Sequence, residues 1–503
     1  MVKKELLTGK KVNYKRVNYA HFFNGINADC NQNILPISYS TNTYNFSFDN
    51  GALKTGLGVS TIYLPNSYDI TSRTQRRVSS AGFKFKASWL YKKENHNMFG
   101  LEDYSYENYI IFQDYLGDFY YFDICNTYDV YVKILNINIP GEATLVNYNL
   151  NGEDSILICS VDGMWVFNSK DMTAIKVENA PKIKSMCLHY ERLFATVSDD
   201  RYEVCFSDDL NPTNWNVSLT EGGFIKFNDN YGIVNKVVSF NDYVYVFREY
   251  GISKITAFAD QTEFDVSTLF VSSGKIFGNT VCECGDRILM LTQNGIYVFD
   301  GYSTTKINLN IDSLLENTMN HFACSCYSNG KYYMACNLNF KDDKKILCEN
   351  FDYYNNALLE LDLQTNTLNI LRGVDIRNLN SLADDKVNKV LACYLDNGVY
   401  RCGEVSKTGL VKDTNLPKCW QSPLGDFGYP EKLKVVKDIY LKSNVPVLVT
   451  IRTERLKKSY YGIPKNDLIH ISTFVKGKLI AVDFETDSAD CEISNPNILV
   501  GLV

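Results

Sequence analysis

Cysteine supplies the first candidates for chemistry in this 503-residue sequence, because two Cys-x-Cys pairs occur among its 15 cysteines. The pairs are Cys282/Cys284 and Cys324/Cys326. Residues i and i+2 of a strand share a face, so each pair would present two thiolates to a metal ion such as zinc. His321 lies near the second pair, but no further ligands occur at a recognisable spacing. We predict no metal site and interpret these cysteines as packing residues.

The other cysteines do not suggest a disulfide framework. Their number is odd, their spacing is scattered, and the chain is long. Four of them lie inside apolar stretches, where a free cysteine behaves as a small hydrophobic residue: Cys159, Cys205, Cys336 and Cys393.

Candidate residues for acid–base catalysis are also few. The five histidines occur singly, outside metal-binding spacings such as His-x-x-x-His: His21, His96, His189, His321 and His470. The carboxylate pairs Asp199/Asp200 and Asp342/Asp343 fall in predicted turns, where aspartate usually bonds to its own backbone. The motifs of phosphate-binding loops, dinucleotide-binding folds and serine hydrolases do not occur. We predict that the protein is not an enzyme, with no catalytic residues and no cofactor.

The elements that would position any site are hairpins. The sequence 287–301 carries an apolar run into Asn294-Gly295 and a second apolar run out of it. Asn-Gly is the strongest short hairpin signal, since both central residues of a type I′ turn need positive φ. The arms are rich in Ile, Leu, Tyr, Val and Phe, which suit a buried pleated surface.

Variants of this hairpin recur along the chain, and the repetition predicts the architecture. The turns fall about 40–60 residues apart, and a four-stranded propeller blade occupies about 40–50 residues. The hairpins centre on 109–123, 156–168, 193–206, 244–255, 332–361 and 390–401, in addition to 287–301. We therefore predict an all-β protein whose main part is a β-propeller of about seven blades. A β-sandwich array or a β-helix is the alternative.

Composition and length limit the class of protein. Hydrophobic residues make up 45% and charged residues 22%, as in globular proteins, and 35 Tyr and 28 Phe favour strands over helices. The net charge of −7 argues against a surface that coats nucleic acid. The sequence lacks an apolar run of membrane-spanning length and the apolar core of a signal peptide. We expect a chain that is made in a cytosol.

Changes in composition predict three parts. Residues 1–40 form an N-terminal arm that begins with basic residues (Lys3, Lys4, Lys10, Lys11, Lys15, Arg16), residues 41–425 the propeller, and residues 426–503 a C-terminal β-sandwich. Within the propeller, 68–100 is interpreted as a polar loop that contains Arg73, Arg76 and Arg77, and 312–317 as a short helix with Asp312 as N-cap. The predicted sandwich strands are 433–442, 446–453, 468–476, 478–484 and 490–502.

A resemblance to a known group rests on short phrases in a fixed order. They are Phe23-Asn24-Gly25-Ile26-Asn27, then Asn45 to Gly58 around Asn50-Gly51, and then Phe206-Ser207-Asp208 with Pro212 and Trp215. Ser272 to Asn279 and Lys434 to Leu441 follow. This order resembles bacteriophage tail- and neck-associated β-propeller proteins, including the accessory factors that plug the portal of tailed phages. The phrase at 207–215 also resembles the structural turn of the sialidase Asp-box, with one extra residue.

The resemblance implies a structural virion component that acts as a rigid docking scaffold in an oligomeric ring at the neck or tail. Its expected partners are portal, neck or tail proteins and copies of itself, without a membrane and without nucleic acid as a direct specific ligand. The expected location is the virion, after assembly in the host bacterial cytoplasm. One alternative is a host-surface or glycan-binding propeller that uses exposed aromatic rings such as Trp165 and Trp420. Another is a glycoside hydrolase or lyase, whose carboxylates would come from separate blades and leave no local motif.

Overall fold

The structure, a computed structural model, describes residues 13–503 except 19–21, 23, 62–65, 70–73, 77–87, 95–105, 114–115, 124–129, 152, 169–172, 259, 317, 341, 343–354, 384–387 and 397–398. The regular secondary structure of the described residues is almost entirely β-strand, arranged in many small sheets, which confirms the all-β prediction. No helix among them has the length and hydrophobicity that a membrane crossing requires.

Seven strands come from the first 76 residues: β1 (Asn13–Asn18), β2 (Asn42–Tyr44), β3 (Phe46–Asp49), β4 (Ala52–Thr55), β5 (Gly58–Thr61), β6 (Asn66–Asp69) and β7 (Thr74–Arg76). The next eight are β8 (Ser88–Glu94), β9 (Tyr106–Gln113), β10 (Asp118–Asp123), β11 (Val130–Asn138), β12 (Ala143–Leu150), β13 (Glu153–Ser160), β14 (Gly163–Asn168) and β15 (Thr173–Val177).

The middle of the chain continues with β16 (Ile183–His189), β17 (Arg192–Val197), β18 (Glu203–Phe206), β19 (Gly223–Lys226), β20 (Val234–Phe240), β21 (Tyr243–Arg248), β22 (Gly251–Thr256), β23 (Asp265–Val271), β24 (Cys282–Glu283), β25 (Ile288–Thr292), β26 (Gly295–Phe299) and β27 (Thr304–Lys306). Helical turns are short: 3₁₀ turns at Gln261–Glu263 and Gly278–Thr280, and α1 (Asp312–Leu315).

The remaining strands are β28 (Cys324–Ser328), β29 (Lys331–Cys336), β30 (Ala357–Asp362), β31 (Leu368–Arg372), β32 (Asp375–Ala383), β33 (Asn388–Asp396), β34 (Val399–Ser406), β35 (Leu410–Val411), β36 (Thr414–Asn415), β37 (Lys418–Gln421), β38 (Lys434–Ser443), β39 (Val447–Thr453), β40 (Lys457–Gly462), β41 (Leu468–Gly477), β42 (Ile480–Thr486) and β43 (Glu492–Leu502).

Four sheets are antiparallel meanders of four consecutive strands: β16–β19, β20–β23, β24–β27 and β28–β31. A further sheet contains β32, β33 and β34 and takes its fourth strand, β5, from the N-terminal part of the chain. The hairpins predicted from the repeat lie at the centre of these sheets. Their inner residues are fully buried, as in Ile288–Thr292, because both faces of each sheet pack on neighbouring sheets.

The strands β8–β15 form one larger sheet of two four-stranded meanders. A parallel pairing of Leu135 with Thr173 joins the meanders, and β6 and β7 extend the sheet beyond β11. The hairpins at 109–122 and 156–168 therefore share a sheet, whereas the hairpin at 290–300 belongs to a separate one. The segment 68–100 was predicted to be a loop, but it contains β7 and β8, and β8 pairs with β9 along its whole length.

The C-terminal sandwich consists of two sheets. One has the order β3-β4-β43-β38-β41, with β1 also beside β43, and the other has the order β2-β37-β42-β39-β40. Fully buried residues such as Val436, Val482, Phe484 and Ile498 fill the space between them. Four of the five predicted strands match closely, the one expected at 478–484 lies at 480–486, and β40 was not predicted.

The sandwich recruits strands that were assigned to other parts of the chain. Residues 13–18, predicted to belong to a free arm, form β1 and pair with β43 in register from Asn13 opposite Leu502 to Asn18 opposite Asn497. The strands β2, β3, β4 and β37, placed within the predicted propeller at 41–425, also belong to the sandwich sheets. The basic residues 3–11 of the predicted arm lie outside the described residues.

Two local predictions differ from the structure in their geometry. The Asn294-Gly295 hairpin forms, but Gln293 and Asn294 occupy its tip and only Gly295 has positive φ, so the turn is not type I′. The Asn50-Gly51 turn does have both residues at positive φ, 48° and 75°. The predicted helix forms as α1, but Asp312 is not its cap. The carboxylate of Asp29 accepts the amides of the first turn instead.

Candidate functional site

The sandwich ends on one side in two edge strands, β40 and β41. Among the described residues, β40 pairs only with β39, and β41 pairs only with β38. The two edges lie close together, because Gly462 packs directly against the side chain of Ile469. Free edges of this kind present unpaired backbone amides and carbonyls to any strand that approaches them.

Apolar side chains surround these free edges. β41 alternates strictly between exposed and buried residues, and its exposed positions include Leu468 and Phe474. Phe474 is 68% exposed and Leu468 is 57% exposed, while Tyr461 and Ile463, at the end of β40 and just after it, are 66% and 64% exposed. An exposed apolar group at an open sheet edge is the usual sign of an interaction surface or an aggregation hazard.

The same side of the sandwich is basic. Residues 431–480 contain eleven Lys or Arg and four Asp or Glu, although the whole chain has a net charge of −7. The residues Arg455, Lys457, Lys458 and Lys476 are exposed on or beside the two edge strands. The charge of the chain is thus segregated, and such segregation steers a partner of opposite charge to a specific surface. We call this surface, β40 and β41 with their exposed side chains, the sandwich edge.

A Ser–His–Asp group lies on the outer face of β38 and β41. His470 Nε2 is 2.9 Å from Asp438 Oδ1, Ser472 Oγ donates to the same oxygen at 2.8 Å, and Ser472 Oγ is 3.4 Å from His470 Nε2. In a nucleophilic triad the two imidazole nitrogens hold serine and carboxylate separately. Here one nitrogen faces both, and the serine donates to the carboxylate. The arrangement therefore lacks the base that would activate Ser472.

The group instead fixes the orientation of an aromatic pair. The imidazole of His470 stacks on the ring of Tyr440 with centroids 4.5 Å apart and planes inclined by 3°. Burial would raise the pKa of the Asp438 carboxyl, but hydrogen bonds from His470 and Ser472 hold it below its ordinary value. Arg16 of β1 lies 5.9 Å from the Tyr440 ring. The outer face next to the sandwich edge is therefore aromatic and basic, and its side chains are held in place.

The Cys-x-Cys pairs lie inside the β24 and β28 sheets and do not assemble a metal centre. No group of three His, Cys, Asp or Glu among the described residues is arranged to hold a metal ion. Cys284 and Cys326 are buried, and the Cys284 thiol donates to the carbonyl of Cys282 at 3.4 Å. A hydrogen bond from Cys284 and the charge of Lys236 hold the pKa of the Cys282 thiol below its ordinary value, although burial opposes this.

The remaining cysteines behave largely as the sequence suggested. All thirteen cysteines in the described part of the chain are free thiols. Cys159, Cys336 and Cys393 are buried in strands, whereas Cys205 is only partly buried. Burial raises the pKa of Cys187 to about 12, which keeps that thiol protonated and unreactive at neutral pH.

The tryptophans named for glycan stacking are not available for that role. Trp420 is fully buried between Phe22 and Phe484 in the sandwich core, and Trp165 is 6% exposed. Neither presents a ring face to solvent. The phrase at 207–215 serves as a structural turn, as predicted: the amide of Asp208 donates to the carbonyl of Asn214 at 2.9 Å, and Asp208 Oδ1 accepts the amide of Asp209 at 2.9 Å.

A buried polar joint connects the sandwich to the β28–β31 sheet. The guanidinium of Arg372 makes two hydrogen bonds to the carboxylate of Asp342, at 2.8 and 2.9 Å, and both side chains are almost fully buried. The same guanidinium lies 4.8 Å from the ring of Tyr44 and 4.2 Å from that of Phe340. Asn42 of β2 donates to Asp342 at 3.0 Å. Asp342 was predicted to lie in a turn, and this role was not predicted from the sequence.

The sandwich edge was also missed by the sequence analysis, although a signal was present. The alternation in Leu468–Gly477 predicts one solvent-exposed face, and the exposed positions include the apolar residues Leu468 and Phe474. Apolar residues at positions that should be polar indicate a contact surface. The identity of β41 as an edge strand depends on the pairing order of distant strands, which no local pattern encodes.

No family model and no curated protein matches the chain. Among solved structures, the chain is similar to the extracellular domain of a putative one-component system from B. thetaiotaomicron, with a TM-score of 0.44 and 11% identity over 88% of this chain and 59% of that chain. It is also similar to Raptor from Chaetomium thermophilum, with a TM-score of 0.41 and 11% identity over 72% of this chain and 29% of that chain. The chain spans less than two thirds of either structure. Both TM-scores are low, and neither similarity bears on function.

Proposed function

We propose that this chain is a structural component of a tailed bacteriophage particle, a non-catalytic docking scaffold at the neck or tail that assembles with copies of itself. The observation that carries the proposal is the sandwich edge. Two free strands with exposed apolar residues and a local excess of positive charge are suited to assembly. The Ser472–His470–Asp438 group lacks the pairing of nucleophile and base that a serine hydrolase needs.

The body that presents this surface is, in our proposal, a seven-bladed propeller. Six blades are β8–β11, β12–β15, β16–β19, β20–β23, β24–β27 and β28–β31, and the seventh consists of β32–β34 with β5. Two features support this arrangement. The strand β5 completes the last sheet from the N-terminal side, and β32 of that sheet lies next to β8 of the first. Radial packing of this kind leaves few edges and makes a stiff scaffold.

The occupant of the sandwich edge is, in our proposal, a second copy of the chain. Outside residues 431–480 the chain has a large excess of Asp and Glu over Lys and Arg. The basic sandwich edge of one copy therefore finds opposite charge on another copy. Such a contact uses two different surfaces, so it is heterologous, and heterologous contacts form a ring when the rotation between successive copies closes. A ring agrees with the neck or tail location that the sequence resemblance implies.

Self-association tests this proposal. The double variant Leu468→Asp/Phe474→Asp should weaken assembly at least about tenfold, because it removes apolar contact and places negative charge against an acidic surface. Ile175→Asp is a matched control, since Ile175 is 66% exposed and lies on β15, outside the sandwich. Analytical ultracentrifugation and native mass spectrometry should show oligomers for the wild type and the control, and monomers for the double variant.

Two results would contradict the proposal. One is a wild-type chain that stays monomeric at every concentration tested. The other is the absence of the chain from purified particles analysed by mass spectrometry. Genes for portal, capsid and tail proteins beside the gene for this chain are the expected genomic context.

A further inference from the structure

A cleft of about 150 Å³ opens where separate parts of the chain meet. Its walls are residues 24–26 of the N-terminal segment, residues 308–310 between β27 and α1, and the turn 365–368 between β30 and β31. Phe48, on the hairpin of β3 and β4, also lines it. Ligand clefts commonly form where distinct structural units converge. This cleft is separate from the sandwich edge.

The side chains that line the cleft are neutral and rich in amides. None of the lining residues is an aspartate, glutamate, lysine, arginine or histidine, and the polar ones are Asn24, Asn308, Asn310, Asn366, Thr365 and Thr367. A carboxamide both donates and accepts hydrogen bonds, as the hydroxyl groups of a sugar do. A phosphate or carboxylate ligand would find no cation here. Phe48, which is partly exposed, adds apolar ring surface for the C–H face of a sugar.

Two of these asparagines have side chains with no hydrogen-bond partner among the described residues, Asn310 and Asn366. Both have left-handed backbones, with φ of 57° and 54°, so their side chains leave the backbone from fixed positions. The side chains of the other two asparagines already have hydrogen-bond partners. The Asn24 side chain donates to Ser38 Oγ at 2.8 Å, and Asn308 Oδ1 accepts a hydrogen bond from the backbone amide of Asn310 at 3.4 Å. The cleft is therefore preformed and keeps free amides for a ligand.

We infer that this cleft binds a neutral saccharide, with Asn310 and Asn366 bonding hydroxyl groups and Phe48 against the ring. The volume admits one sugar residue at a time, so the ligand is a monosaccharide or one unit of a longer chain. This activity goes beyond docking, and it would bring the scaffold into contact with a glycan-bearing surface. It uses none of the residues of the sandwich edge and stands independently of the assembly proposal.

Asn310→Gly and Asn366→Gly test the inference, because each substitution removes the carboxamide side chain and glycine tolerates the positive φ. Saturation-transfer NMR should detect binding of at least one of methyl α-D-glucopyranoside, methyl α-D-galactopyranoside and N-acetyl-D-glucosamine to the full chain. Each variant should weaken that binding by about three- to tenfold, the loss expected for one neutral hydrogen bond. Asn179→Gly is the matched control, since Asn179 is exposed, has φ of 61° and lies outside the cleft.

Three results would overturn the inference: no transfer from any of the three sugars, binding of D-glucuronate as strong as that of the neutral sugars, or wild-type affinity in both variants. Circular dichroism and the oligomeric state of each variant establish that it is folded. Leu468→Asp/Phe474→Asp should leave sugar binding unchanged. Failure of this inference is therefore distinguishable from failure of the proposed assembly.

Discussion

The four-stranded sheets and the sandwich are built from similar residues but are connected differently. Each of the sheets from β16 to β31 uses one continuous stretch of chain, so every strand pairs with its neighbour in sequence. The sandwich gathers strands from both ends: β1 and β4 pair with β43, and β2 pairs with β37. The locally connected sheets pack against one another, whereas the sandwich presents the free edges of β40 and β41.

This difference in connection suggests that the repeated sheets and the sandwich have different roles. The repeated sheets cover each other's faces. The sandwich depends on long-range pairing and has the surface that we propose for docking. Variants placed on either side of the buried polar joint at Arg372 test whether the two parts depend on each other.

The largest effect is expected for Trp420→Ala. Trp420 lies on β37 and is fully buried against Phe22 and Phe484, so its removal should leave a cavity that lowers the free energy of unfolding by about 3–5 kcal/mol. Chemical denaturation followed by circular dichroism measures the loss. Trp165→Ala, in the β12–β15 meander, should destabilise that meander and leave the sandwich intact. Equal destabilisation of the sandwich by both variants would contradict the view that the sandwich and the locally connected sheets are separately stabilised.

Arg372→Ala should have the next largest effect. It leaves Asp342 buried without its cation, which destabilises by about 3 kcal/mol, and it removes the guanidinium that lies against Tyr44. Because this joint connects the sandwich to β31, we expect calorimetry to show two separate unfolding transitions. Arg372→Lys keeps the charge and should retain part of the coupling. A single transition in Arg372→Ala, shifted as a whole, would show that the two parts are coupled elsewhere.

The smallest effect is a pH dependence within the sandwich. The folded-state pKa of Asp438 lies below its ordinary value, so the ionised carboxylate stabilises the fold at pH above its unfolded pKa. That stabilisation is lost as the pH falls through the folded pKa. Between pH 7 and pH 3, the wild type should therefore lose more stability than Asp438→Asn, measured by urea denaturation at each pH. Parallel curves for the two proteins would contradict this assignment.

Much of the local structure could be predicted from sequence. The strands around 447–453 and 468–477 follow from alternation, because one buried face imposes a period of two. The Asn50-Gly51 turn could be predicted because Asn and Gly adopt positive φ at a low cost in free energy. The hairpin at 288–299 was also predicted, because its two apolar arms identify the strands. Its tip is shifted by one residue from the predicted position, since the apolar pattern defines the strands better than the turn.

The long-range features were not predictable in the same way. The pairing of β1 with β43 joins residues 479 to 489 positions apart, and nothing local in Asn13–Asn18 distinguishes it from a free polar arm. Asp342 looked like a turn residue because its partner, Arg372, is distant in sequence. The cap of α1 comes from Asp29 for the same reason. The exposed position of Phe474 on an edge strand, where we propose docking, depends on the pairing order of distant strands.

The position of β43 has a consequence for biosynthesis. This strand is translated after β1, β4 and β38, and all three pair with it. On the ribosome, these earlier strands must wait for this partner until β43 has emerged. A product that terminates prematurely therefore cannot complete its sandwich. If the sandwich is the docking surface, as we propose, incomplete chains would not assemble, and no separate quality-control mechanism would be needed to exclude them.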